Sequence, residues 1–133
     1  RPGMNRVPRP DEKMLLATFS GQNPALYQTL STLINEDLGR RSKRNHWIWY
    51  MYPQSREAVE GTGAHYEYTD ISTFYAVFFS DDYQALFRKV NRKPLEWFSE
   101  IDRMRVGHFR AVHADLVGPS TTETQGKFTD CAK

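Results

Sequence analysis

The chain has 133 residues, 39% of them hydrophobic and 26% charged, with a formal net charge of +2. That length supports one domain with a sizeable core, and the composition excludes a disordered or collagen-like chain. So small a net charge gives no ground for a nucleic-acid partner, the lone Cys131 excludes an internal disulfide or a cysteine metal cluster, and no apolar run approaches the ~20 residues of a membrane span.

Residues 1–12 carry Pro2, Pro8 and Pro10 amid alternating charge and read as an extended N-terminal arm. Their basic start has no apolar stretch behind it, so it is not a secretory signal; Met4 is a candidate native start, and the cytoplasm is the default compartment. Met14 to Phe19 forms a short apolar helix closed by Ser20 and Gly21. Asn23-Pro24 opens the clearest element: a capping side chain is followed by a proline preset for the first helical position. Leu26, Tyr27, Leu30, Leu33, Ile34 and Leu38 then fall on one stripe, so the spacing predicts a helix over 24–38, with Gly39 as a left-handed terminator.

The basic run Arg40-Arg41-Ser42-Lys43-Arg44 leads into His46-Trp47-Ile48-Trp49-Tyr50-Met51-Tyr52-Pro53-Gln54. Burying each aromatic side chain removes roughly 150–250 Å² from water, so this stretch belongs in the core. Its unbroken apolarity fits a short extended segment or an irregular helix over 46–52, ended by Pro53. Residues 54–69, with Gly61 and Gly63, form the longest loop. Asp70 or Ser72 caps a helix carrying Ile71, Phe74, Tyr75, Phe78 and Phe79. Ser80-Asp81-Asp82 starts another with Tyr83, Leu86, Phe87 and Val90, its acidic first turn and basic last turn matched to the helix dipole. Pro94 then opens a last helix, with Leu95, Phe98, Ile101, Arg105, Phe109 and Val112 on one side and Gly107 as a close-packing point or a break. The expected fold is mainly α: one compact domain of about four to five helices over residues 13–116, followed by a polar tail at 117–133.

Three groups of residues can carry chemistry. His46, Trp47, Trp49 and Tyr52 either wall a site for a flat or cationic ligand or are simply a core aromatic cluster. Asp102, Arg105 and His108 recur every third residue of a helix; such a ladder holds an anion through the planar fork of Arg105, or is a surface ion pair. The run 40–44 contacts phosphates or is solvated loop charge. No Gly-rich phosphate loop, His-Glu-x-x-His or Gly-x-Ser-x-Gly motif is present, and His46, His65, His108 and His113 lack metal-ligand spacing. The residues call for no metal and no cofactor.

The segment Lys43-Arg44-Asn45-His46-Trp47-Ile48-Trp49-Tyr50-Met51-Tyr52-Pro53-Gln54 resembles the signature of a calpastatin-like family of unknown function, with Asn45 in place of its serine and Tyr52 in place of its phenylalanine. Phe19-x-x-Gln22-x-Pro24-x-x-Tyr27 is similar to the family's opening block. Asp102-x-x-Arg105-x-x-His108-Phe109 is similar to a late block of its eukaryotic relatives. The likeness spans residues 15–113 and implies a mainly helical cytosolic protein, with no activity attached.

It also suggests that the aromatic stretch and the Asp-Arg-His ladder face each other across one pocket. The functional expectation is a site for a small anionic or nucleotide-like ligand, lined by Arg44, His46, Trp47, Trp49, Asp102, Arg105 and His108. Arg44 and Arg105 would answer its charge, the tryptophans would stack on its ring, and Asp102 would orient Arg105. Whether a reaction takes place there stays open; His46 and His108 are the candidate acid–base groups, since only histidine titrates unperturbed near neutrality. The alternative is a nucleic-acid-binding or complex-assembly subunit using residues 40–44.

Overall fold

Every long helix starts where a short polar side chain can accept from a free amide of its first turn. In the computed structural model, which describes residues 6–56 and 65–117, α1 spans Glu12–Phe19 and α2 spans Pro24–Leu38. Asp11 accepts from the amide of Met14 for α1, and Asn23 accepts from that of Leu26 for α2. A single turn, α3, covers Ile48–Met51. Then come α4, Ile71–Phe78, capped by Asp70, and α5, Asp81–Val90, capped by Ser80. A 3-10 turn over Leu95–Trp97 precedes α6, Glu100–Val112, capped by Ser99, and the short α7, Ala114–Val117. The described residues form no sheet; one isolated bridge joins Ser55 to Tyr68. No helix among them is long and apolar enough to cross a membrane.

The hub is α5, against which α1, α2, α3 and α4 all pack. Its buried stripe of Tyr83, Leu86, Phe87 and Val90 continues into an aromatic core. Tyr83 stacks on Phe87 at 5.1 Å, Tyr52 meets Phe109 edge-on at 5.2 Å, and Phe109 meets Phe74 at 5.7 Å. Such pairs add about 0.5–1.5 kcal/mol each beyond area burial. The hydroxyls in this core are also partnered. Tyr83 donates to the carbonyl of Met51 at 2.5 Å, and Tyr52 donates to Asn91 Oδ1 at 2.7 Å. Burial raises both phenols well above their ordinary pKa.

Several sequence expectations are corrected. Residues 6–11 form neither helix nor strand, but they are laid on the core: Val7 and Pro10 are buried, and the Tyr50 hydroxyl donates to the carbonyl of Pro8. Gly39 closes α2 at φ −87°, outside the left-handed region, with its amide reaching back to Glu36 at 3.2 Å. Of the two readings of the stretch 46–52, the extended one does not form and the short helix does: Ile48–Met51 is the helical turn α3, with the amides of Tyr50 and Tyr52 returned to the carbonyls of Trp47 and Ile48. The last helix is broken at Phe98, whose extended backbone separates the 3-10 turn from Ser99 and shifts the phase of α6. As a result Ile101 is 82% exposed and Leu95 and Val112 are also exposed, while Val106, Phe109 and Arg110 face inward. Gly107 neither breaks α6 nor packs closely: a Cβ there would meet nothing within 4 Å. Val117 is buried in α7; the rest of the expected tail, with Cys131, lies outside the described residues, as does 57–64 of the long loop.

Candidate functional site

The loop that carries the basic run is held from inside by one carboxylate. Asp37, near the end of α2, is fully buried. Its Oδ2 accepts from the Trp47 indole at 2.8 Å and from the Asn45 amide at 2.9 Å. Its Oδ1 accepts from Asn45 Nδ2 and Arg40 Nη1, each at 3.2 Å. Ion pairing and hydrogen bonding thus fold residues 40–47 back over α2 and draw Trp47 into the core. Two residues on, the helical turn of α3 leaves Trp49 only partly buried.

Lys43 crosses from this loop to α6. Its ammonium lies 2.7 Å from Asp102 Oδ2 and 4.7 Å from the ring centroid of Trp47, and its amide donates to the carbonyl of Trp97 at 2.8 Å. The aromatic segment and the start of α6 therefore meet. Between them lies a cavity of about 400 Å³, lined by Arg9, Lys43, Arg44, His46, Ile48, Trp49, Ser99, Ile101, Asp102 and Arg105. That size falls within the roughly 300–1,000 Å³ typical of small-ligand pockets.

Behind the cavity a second buried carboxylate sets the guanidinium groups. Glu67 Oε1 accepts from Arg105 Nη1 at 2.6 Å and from the amide of Gln54 at 2.9 Å. Among the described residues Glu67 Oε2 has no hydrogen-bond donor; Arg9 Nη2 stands 3.5 Å away as a looser ion pair. The Arg9 guanidinium also lies over Trp49, 5.4 Å from the ring centroid. Burial presses the Arg9 guanidinium below its ordinary pKa; Glu67 pulls it back up and Arg105 pushes it down again. Two guanidinium groups crowd one carboxylate, and the result is a cationic pocket with an indole wall.

Five of the seven expected site residues line this cavity: Arg44, His46, Trp49, Asp102 and Arg105. Trp47 does not, because its indole is sealed in the core on Asp37. Nor does His108, which is exposed farther along α6. The ladder of Asp102, Arg105 and His108 is not a mutual pairing: Asp102 holds Lys43, and Arg105 turns to Glu67. Sequence reasoning missed Arg9 and Glu67. Arg9 sits between two prolines with no periodic pattern to mark it, whereas Glu67, between Tyr66 and Tyr68, offered a faint sign of a buried acid.

A second hollow, of about 520 Å³, has the opposite character. Ser55, Tyr68, Asp70, Tyr75, His113 and Asp115 are among its lining residues. His113 stacks on Phe74 at 4.0 Å, and its Nε2 lies 2.6 Å from the Tyr68 hydroxyl. Burial lowers the His113 pKa to about 4, with Asp115 opposing, so its imidazole is neutral at physiological pH. Among the described residues, no group of three or more His, Cys, Asp or Glu side chains is placed to hold a metal. Compared with known proteins, the chain matches no family model, no curated protein and no solved structure.

Proposed function

We propose that this chain is a binding domain for a small anionic, nucleotide-like molecule held between residues 43–49 and the start of α6. One observation carries the reading: a cavity of small-ligand size whose lining joins Arg9, Arg44 and Arg105 to the partly exposed indole of Trp49, with Arg9 over the ring. Guanidinium groups suit phosphate or carboxylate through paired N–H donors, and their planes, like indole, stack on flat rings. Arg44 has no ion pair among the described residues, so its charge is free to answer a ligand. His46, at the wall, is the acid–base candidate should a reaction occur there. The likeness of residues 43–54 to the calpastatin-like family goes with this reading as a further proposal and supplies no ligand of its own.

The rival reading, a nucleic-acid or assembly surface along residues 40–44, has less behind it. Arg40 is drawn to Asp37 and Lys43 is buried against Asp102, which leaves Arg41 and Arg44 of the run unpaired among the described residues. A thermal-shift screen of mononucleotides, inorganic phosphate and citrate separates the two. The pocket reading expects stabilisation by at least one of these anions, lost in Arg44→Gln and in Arg105→Ala but kept when Arg40 and Arg41 are neutralised. No stabilisation by any of them, with salt-sensitive binding of an oligonucleotide that depends on Arg40 and Arg41, would overturn it.

A further inference from the structure

The charges around the cavity go further than its sign. Four cations line it, Arg9, Lys43, Arg44 and Arg105, against one carboxylate on the wall, Asp102, and one behind it, Glu67. Among the described lining groups, the Lys and Arg cations exceed the carboxylates by two, so two positive charges there lack a counter-charge. The pairing says which they are. Lys43 and Asp102 cancel at 2.7 Å; Arg9 and Arg105 share the single charge of Glu67; Arg44 has no ion pair among the described residues.

Resting on the proposed anion pocket, we infer that the cavity selects a doubly charged phosphoryl group, a phosphomonoester, over singly charged acids, and that Arg9 and Arg105 are the clamp that grips it. A monoester phosphate carries between one and a half and two negative charges at neutral pH, roughly, and presents three acceptor oxygens. A carboxylate or a phosphodiester carries one charge and leaves half of the excess unanswered.

The geometry of the clamp supports the same choice. Glu67 Oε1 is held by the Gln54 amide at 2.9 Å and accepts from one nitrogen of Arg105 at 2.6 Å. Arg105 is thereby held at the cavity wall, its side chain 14% exposed. Arg9 is held less tightly: its 3.5 Å distance to Glu67 Oε2 is too long for a charge-assisted hydrogen bond, and its side chain is 38% exposed. Among the described residues it is a cation with unfilled bonding capacity beside the more tightly held Arg105. An oxyanion entering from the cavity would give Arg9 the short contacts that Glu67 does not. Trp49, under the Arg9 guanidinium, would flank whatever the phosphate carries.

The test uses the full chain and three probes that share one ring: AMP, cyclic AMP, whose diester phosphate holds a single charge, and adenosine. Isothermal titration calorimetry at pH 7.5 should show AMP binding about tenfold or more tightly than cyclic AMP, the difference made by one further charge-assisted contact, and adenosine weaker still. In Arg9→Gln, an exposed position whose loss leaves the core intact, AMP should weaken about tenfold while cyclic AMP changes little. Equal affinities for AMP and cyclic AMP overturn the selection but leave an anion site standing. Unchanged AMP binding in Arg9→Gln overturns the clamp. If neither nucleotide binds, and the anion screen is also blank, this inference and the site reading fall together.

Discussion

Arg105 lies three residues beyond Asp102 on α6, yet its guanidinium turns away to Glu67, 2.6 Å distant on a segment nearly forty residues earlier in the chain. The choice is set by burial. Asp102 is already neutralised by Lys43, whereas Glu67 has no exposed side-chain surface and would be an isolated charge in the core without a cation. Arg105 also donates to the carbonyl of Tyr52 at 3.2 Å, so one side chain joins α6, the 65–69 segment and the end of the aromatic stretch.

Replacing Glu67 by Gln keeps the shape and removes the charge, leaving Arg105 and Arg9 facing each other without a counter-ion. We expect a loss of about 3 kcal/mol in urea-induced unfolding, the range for breaking a buried pair on one side. A loss below about 1 kcal/mol would place this contact with ordinary surface ion pairs instead.

Asp37 should prove more costly still. Asp37→Ala removes the acceptor for the buried Trp47 indole and for the Asn45 amide at once. Each buried donor left without a partner costs roughly 1–3 kcal/mol, so about 3–5 kcal/mol is expected in the same assay. Asp37→Asn should recover part of this, since one amide oxygen can still accept. A variant as stable as the parent would mean that the loop 40–47 is held by something else.

The buried imidazole of His113 predicts how stability depends on pH. Its pKa falls from the usual 6.5 to about 4 on folding, because burial disfavours the charged ring. At pH above 6.5 the ring is neutral in both states and contributes nothing to the pH dependence. Between pH 6.5 and 4 the unfolded chain binds the proton and the folded chain does not, so stability falls as pH falls, by up to about 1.4 kcal/mol per pH unit. Below pH 4 both states are charged and the contribution levels off. Urea unfolding of the parent and of His113→Gln at pH 7.5, 6.5 and 5.5 should therefore show a smaller loss on acidification in the variant. Parallel pH profiles would contradict it.

Gly107 is a place where the fold can be improved. It lies inside α6, and a Cβ there meets nothing within 4 Å. Gly107→Ala should stabilise by about 0.5–1 kcal/mol through the lower backbone entropy of the unfolded chain and higher helix propensity. Thermal unfolding with a raised midpoint would confirm it; a lowered one would show that α6 needs flexibility there.

What could be seen in the residues alone was what neighbours in sequence decide. Asn23-Pro24, Asp70 and Ser80 mark true helix starts because a cap bonds its own first turn, and the stripe of α5 is buried where its period places it. The last helix failed for a related reason. Ser99 is also a good cap, and reading Pro94 as the start ran one stripe straight through the break at Phe98: Phe98 and Phe109 on that stripe are buried, but Leu95, Ile101 and Val112 are exposed. The site was half legible. Residue type identified Arg44, His46, Trp49, Asp102 and Arg105 as groups of interest, but the partner each charge takes depends on contacts across long stretches of chain. Glu67, Arg9 and the inward turn of Trp47 are decided by which carboxylates end up dry, and no local pattern records that.

The three tryptophans are unequally placed: Trp47 and Trp97 are buried, whereas Trp49 borders the cavity under a guanidinium. The protein therefore carries its own optical probe. A soluble quencher such as acrylamide should reach one indole of the three, and a guest that displaces Arg9 or shields that ring should alter the quenchable fraction of the emission while the shielded pair holds a steady background. Occupancy could then be followed in unlabelled protein, and Trp49→Phe would silence the signal without disturbing the two interior fluorophores.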